Sequence, residues 1–258
     1  MKITVLGIGN AMSTENYCTS FFIENGNRSL MIDCPPGLFR ILDNLAIDKQ
    51  IVNNILITHC HGDHIGGLEP LCLWKKFIEN KKVNIYTTKQ IYKVIKDHWF
   101  AKMDKSFNSD FTKIVNLKVE DFIDFHEIKI GENFICDLKV ETRKNWHYHP
   151  TIGLRITDKN GAVFGYSGDT IYRKPLIEKL FSKKIISKKE KDDLLGFIWN
   201  ADIIFHDAEN IQDGIHTYVG DLEKLSEKVR KKMYLIHVPD SFKSEKIKVA
   251  EQGKSYRI

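Results

Sequence analysis

The sequence predicts an α/β protein of layered, internally duplicated build, with sheets inside and helices outside. Three observations carry that prediction. Short apolar runs with strand character alternate along the chain with helical patterns of period near 3.6. Each half of the chain supplies strands first and helices afterwards. Nothing resembling a linker or a low-complexity run separates the halves, so a single domain over residues 1–258 is expected.

The elements follow in order. Ile3 to Ile8 alternates like a strand, and Phe21–Ile23 and Leu30–Ile32 flank an Asn-Gly hairpin signal at Glu24-Asn25-Gly26-Asn27. After Pro35-Pro36 a helical pattern runs through Leu38, Ile41, Leu42 and Leu45. Asn54–Thr58 reads as a buried strand, Leu68–Phe77 as an amphipathic helix, Val83–Tyr86 as a strand and Lys89–Phe100 as a helix. In the second half strands are predicted at Ile128–Ile130, Phe134–Val140, Ile152–Thr157 and Val163–Tyr166, with a turn at Lys159-Asn160-Gly161. A basic helix is predicted around Leu176–Trp199 and another over Gly220–Arg230, with strands at Asp202–Phe205 and Met233–His237.

Composition narrows the function classes. At 42% hydrophobic and 28% charged residues the chain has ordinary globular makeup, which argues against wholesale disorder. No window approaches a membrane-spanning apolar run, and the opening residues turn polar by Ser13-Thr14-Glu15-Asn16, too soon for a secretory signal. The 5 cysteines are scattered without a C-x-x-C, so a disulfide framework is not expected and a reducing cytoplasm is the natural compartment. Net charge is +5, and Arg173–Asp192 alone carries eight basic against three acidic residues. That stretch reads first as a solvated helix face, and secondly as a phosphate-attracting rim or a dimer contact.

The histidines are the informative residues. Thr58-His59-Cys60-His61-Gly62-Asp63-His64 places His59, His61, Asp63 and His64 within six positions, directly after a buried strand. A strand end followed by a tight turn fans such side chains toward one point, and imidazole with carboxylate suits zinc, with manganese or iron as alternatives. Further candidates stand at the ends of other apolar strands: His147 and His149, Asp169, His206-Asp207 and His237.

In these residues the chain resembles the metallo-β-lactamase superfamily, whose signature is H-x-H-x-D-H at a strand end. It is most similar to the phosphodiesterase branch, which holds ribonuclease Z and small cyclic-nucleotide phosphodiesterases, including anti-Pycsar-type enzymes by which phages escape cyclic-nucleotide immunity. The resemblance implies a four-layer αββα fold and two divalent metal ions. It assigns His59 and His61 to one ion and Asp63 and His64 to the other. The third histidine of the branch lies six residues before a glycine that opens a strand. Counting back from Gly153 gives His147, with His149 its neighbour. Asp169 in Ser-Gly-Asp-Thr matches the bridging carboxylate, and His237 in Leu-Ile-His-Val matches the last ligand.

The resemblance also implies a proton-donating pair, Asp207 with His216. Here the sequence departs from the branch: Asp207 replaces Glu, Glu209 stands in place of Thr, and Ile215 is inserted between Gly214 and His216. The implied reaction is hydrolysis of a phosphodiester by hydroxide generated between two metals. Asp63 holds the water, and His216, oriented by Asp207, protonates the leaving oxygen. Ribonuclease Z grips transfer RNA with an arm inserted between the third histidine and the bridging Asp. Only 21 residues separate His147 from Asp169, which leaves no room for it. The expected substrate is therefore a 3′,5′-cyclic mononucleotide. RNA is the second reading, and another small phosphodiester or thioester the third. The resemblance also implies a homodimer. Tyr148, Tyr172 and Tyr218, beside site residues, are candidates to stack on a base.

Overall fold

A computed structural model describes all residues, Met1–Ile258. In the first half the strands are β1 (Lys2–Gly7), β2 (Ser20–Asn25), β3 (Arg28–Ile32), β4 (Asn54–Leu56), β5 (Val83–Thr87), β6 (Lys105–Phe107), β7 (Ile114–Asn116) and β8 (Ile123–Glu127). Its helices are α1 (Leu38–Asn44), α2 (Gly62–Ile65), α3 (Leu68–Phe77) and α4 (Lys89–Val94). The second half holds β9 (Gly131–Ile135), β10 (Leu138–Lys144), β11 (Ile152–Thr157), β12 (Val163–Tyr166), β13 (Ile203–Asp207), β14 (Met233–Ile236), β15 (Lys248–Val249) and β16 (Ser255–Arg257). Its helices are α5 (Lys174–Ser182), α6 (Lys188–Gly196), α7 (Val219–Leu222) and α8 (Glu227–Arg230).

Two seven-stranded sheets result, ordered β16-β1-β2-β3-β4-β5-β8 and β15-β14-β13-β12-β11-β10-β9, with β6–β7 a separate hairpin. Each sheet is antiparallel on one side and parallel on the other, with the change at β3 in the first and at β12 in the second. The predicted duplication is visible in that shared plan. Strand alternation explains the layers. Phe164, Tyr166 and Phe205 point inward and meet the Phe21 ring edge-on at 5.0–5.3 Å, joining the sheets. The intervening Ile204 faces outward with Leu235, beneath Ile177 and Leu180 of α5 and Leu194 of α6.

Five elements differ from the sequence reading. Phe134–Val140 is not one strand but the hairpin β9–β10, turned at Cys136 and Asp137, both with positive φ (52° and 60°). Such a turn usually advertises itself with Asn-Gly, and Cys-Asp does not. Ile128–Ile130 forms no strand, and pairing falls instead on β8, alongside β5. The predicted basic helix breaks into α5 and α6, because Ser187 caps α6: its hydroxyl accepts from the Glu190 N–H at 3.2 Å while Glu190 accepts from the Ser187 N–H at 2.8 Å. Ser187→Ala is expected to cost about 1 kcal/mol, read as a lower urea midpoint. An unchanged midpoint would mean that packing alone holds α6. The helix predicted over Gly220–Arg230 is two single turns, α7 and α8. Finally, α4 ends at Val94 and passes into a wider π-type turn over Ile95–Trp99.

Candidate metal centre and active site

The chemistry-bearing residues collect at one edge of the sheets, where loops leave the carboxyl ends of β3, β4, β10, β12, β13 and β14. Parallel strands send their following loops to the same end, so residues far apart in sequence converge there. Glycine permits the close approaches. A Cβ on Gly67 would lie 2.3 Å from the Pro35 carbonyl oxygen, and Gly168 takes φ 59° between Ser167 and Asp169.

Two clusters meet at Asp169. In the first, His59, His61, His147 and Asp169 offer ligand atoms all within 4.8 Å of one another. His59 Nε2 lies 2.9 Å from His61 Nδ1, His147 Nε2 lies 3.4 Å from that same atom, and His59 Nε2 is 3.5 Å from Asp169 Oδ2. Tetrahedral coordination with bonds near 2.0–2.1 Å sets neighbouring ligand atoms roughly 3.3 Å apart, so the spacing suits a small divalent cation. The second cluster joins Asp63, His64 and His237. Asp63 Oδ2 lies 3.1 Å from His237 Nε2 and 3.4 Å from His64 Nε2. Asp169 faces both clusters, with Oδ1 at 3.5 Å from His64 Nε2 and Oδ2 at 3.5 Å from His237 Nε2. His64 Nε2 and Asp169 Oδ1 are buried without a hydrogen-bond partner, a costly state that a bound cation relieves.

Electrostatics point the same way. Burial, with the charge of His64 beside it, lowers His59 to about 3, and burial likewise lowers His147 to about 4. Both rings are thus neutral at pH 7, the form that ligates metals. Burial opposes charge on Asp63 and Asp169, yet the surrounding imidazoles hold both carboxyls far below the ordinary range. His64 is pushed well above its ordinary value despite burial, because Asp169 and Asp33 press on it from both sides of the ring. Proton and metal compete for that one Nε2. The donor set therefore fits divalent metal ions.

Asp33 escaped the sequence reading. It is fully buried at the end of β3 with φ 61° and accepts from His64 Nδ1 at 2.8 Å, from the Thr58 N–H at 2.8 Å and from the Thr58 hydroxyl. It fixes the tautomer and tilt of His64, so that Nε2 faces the second cluster. Asp33→Asn, which tolerates the left-handed backbone, is expected to weaken metal retention about 10–100-fold in a chelator competition. Equal retention would show that packing alone aims His64. Asn145 was also missed. Its Nδ2 donates to the carbonyls of Ser167 at 2.7 Å and Asp169 at 2.9 Å, holding the loop that presents Asp169.

Beside the second cluster, Asp207 is completely buried and gathers His216 Nδ1 at 3.2 Å, the Thr170 N–H at 3.1 Å and the hydroxyls of Ser167 and Thr217. Asp207 and Asp169, outweighing burial, raise His216 to about 9, while its neighbours hold Asp207 below the ordinary carboxylate range. His216 also approaches Asp169 Oδ2 at 3.9 Å and lies with its ring 4.5 Å from that of His237. Two of the three departures from the branch's pattern, Glu209 and the inserted Ile215, meet in the loop that carries His216. Glu209 accepts from the His216 N–H at 2.8 Å and so shapes the loop that Ile215 lengthens. A Cβ on Gly214 would sit 1.9 Å from Glu209 Oε1.

The remaining candidates lie farther out. His206 is buried, stacked on Trp199 and bonded through Nδ1 to the Asp207 carbonyl. Tyr172 is buried against Trp199 and His206, so packing and not base stacking accounts for it. His149 and Tyr148 are exposed at the mouth. Beside them opens a cleft of about 550 Å³ between the start of α4, the β8–β9 connection and the segment Lys144–Ile152, with His147 in its wall. Arg173, first of the basic stretch, donates to Asp213 and to the Gln212 carbonyl, tying α5 to the loop that carries His216.

This fold, with histidines and aspartates at its strand ends, defines a metallo-β-lactamase-fold protein. The metallo-β-lactamase-fold protein YhfI from Bacillus subtilis superposes with TM-score 0.70 at 15% identity, over 99% of this chain and 98% of that one. The chain belongs to the family described as Anti-Pycsar protein Apyc1, whose model matches residues 1–256. It is 25% identical to the Anti-Pycsar protein Apyc1 of Bacillus phage 010DV004, over 99% of this chain and 98% of that protein. It is 28% identical to the cAMP/cGMP-dependent 3′,5′-cAMP/cGMP phosphodiesterase B of Dictyostelium discoideum, covering 93% of this chain but only 21% of that longer protein. No helix is long and apolar enough to cross a membrane.

Proposed function

We propose that this chain is a metal-dependent phosphodiesterase that opens 3′,5′-cyclic mononucleotides. Two divalent ions, zinc by preference, would be held by His59, His61 and His147 on one side and by Asp63, His64 and His237 on the other, with Asp169 between them. The observation that carries this reading is Asp169 facing both clusters at 3.5 Å beside an Asp207–His216 pair placed to move a proton. The phosphodiesterase named among the relatives supports the substrate class. The relatives that are anti-Pycsar proteins support a role in removing cyclic-nucleotide signals of anti-phage immunity.

When bound, the ions supply Lewis acidity to the phosphate oxygens and lower the pKa of the attacking water. The chain supplies the rest. His64 and His237 both approach Asp63 Oδ2, which leaves Oδ1 to orient the water and take its proton. Asp207 holds His216 through Nδ1 and keeps it protonated at neutral pH, so His216 Nε2 donates to the departing ribose oxygen. One P–O bond forms to the water oxygen, one breaks, and the product is a phosphomonoester.

The strands β11 and β12 with their tight turn take up the stretch between His147 and Asp169 where the transfer-RNA enzymes carry an arm. A panel of cyclic nucleotides beside unprocessed transfer RNA tests the reading in metal-loaded protein. Cleavage of the nucleotides and not of the RNA is expected. Cleavage of RNA alone, with steep salt dependence, would overturn it and bring the basic α5–α6 hairpin forward as the RNA grip.

A further inference from the structure

We infer that the cleft beside His147 is a nucleoside-binding site and that Tyr148 is its stacking platform, an inference that rests on the cyclic-nucleotide reading above. Position is the first argument. The cleft shares His147 with the first metal cluster, so a molecule whose phosphate sits at the cluster must extend its remaining part either into bulk water or into this space. Its volume of about 550 Å³ falls within the range of roughly 300–1,000 Å³ typical of small-molecule sites.

The second argument is the setting of Tyr148. Its ring is braced by three imidazoles, with centroids 4.4 Å from His147, 4.8 Å from His61 and 5.3 Å from His149. Yet the residue stays 66% exposed, and it lines the cleft. One side of the ring is therefore held in place by the metal-facing histidines while the rest is open. A tyrosine fixed in that way needs little further ordering to receive a flat ligand. It is also adjacent in sequence to His147, which places the platform within one nucleoside of the phosphate position.

The third argument is the polarity of the opposite wall. Gln90 from the first turn of α4, Glu127 from the end of β8 and Lys129 from the β8–β9 connection line the cleft, and their side chains make no hydrogen bond or ion pair within the protein. They offer donors and acceptors together, which matches the edge of a nucleobase better than it matches a purely anionic or purely apolar ligand. Because the only charge of a cyclic mononucleotide is spent at the metals, an uncharged aromatic base is the part left for this wall.

The test compares adenosine 3′,5′-cyclic phosphate with the abasic ribose 3′,5′-cyclic phosphate in the metal-loaded wild type, Tyr148→Phe and Tyr148→Ala. Stacking on one aromatic ring should lower KM for the nucleotide about tenfold relative to the abasic compound in the wild type. Tyr148→Phe should keep that ratio, because the ring face is retained, and Tyr148→Ala should abolish it. A ratio that survives in Tyr148→Ala, or that is absent in the wild type while both compounds are hydrolysed, overturns the nucleoside site and leaves the phosphodiesterase reading standing. Failure of the wild type to hydrolyse either compound overturns the phosphodiesterase reading itself.

Discussion

Asp63→Ala is expected to reduce hydrolysis of a 3′,5′-cyclic nucleotide to background, a loss on the order of 10⁴-fold or more in kcat. Two roles are lost at once. The Oδ2 atom that His64 and His237 approach at 3.4 Å and 3.1 Å disappears from the second cluster, and the oxygen proposed to take the water's proton disappears with it. The first cluster, His59, His61 and His147 with Asp169, contains no atom of Asp63, so the variant should still bind metal there. Metal analysis after dialysis checks this. Retention of substantial turnover would remove Asp63 from the reaction and with it the asymmetry between the two clusters.

His216→Ala should behave differently. Its ring is bonded to Asp207 and lies at the edge of the site, so metal content should stay at the wild-type level while kcat falls by about 10²–10⁴-fold, the usual contribution of a positioned proton donor. The deficit should shrink on a substrate whose leaving oxygen needs no proton, such as a p-nitrophenyl phosphodiester. A His216 variant that loses metal instead would make the imidazole a ligand, the role its distance of 3.9 Å from Asp169 also allows. Full activity on a poor leaving group would remove it from proton transfer altogether.

Much of this was legible in the residues. The run from His59 to His64 is local, so its meaning needs no tertiary information, and the later residues sit at strand ends that hydrophobic patterning exposes. The structure brings all seven proposed ligands to one place. Asp33 follows the same rule, standing right after Leu30-Met31-Ile32, but its role depends on the left-handed turn at φ 61° that aims it at His64, and no side-chain pattern encodes that. Asn145 works through the backbone of a loop more than twenty residues away in sequence, which patterning does not reveal. The fold errors have similar causes. Cys136-Asp137 carries none of the usual hairpin signals, and Lys183–Ser187 breaks a helix without glycine or proline, although Ser187 with Glu190 three positions on is a readable cap. The strand Ile123–Glu127 gains its identity from pairing with Val83–Thr87, a long-range contact.

The most direct measurement is a metal titration of metal-free protein, with hydrolysis of a 3′,5′-cyclic nucleotide as the readout. A centre built from the two clusters around Asp169 predicts no turnover without metal and a rise that levels off at about two equivalents of zinc per chain. Turnover that survives thorough chelation, or none at any metal loading, would contradict the account.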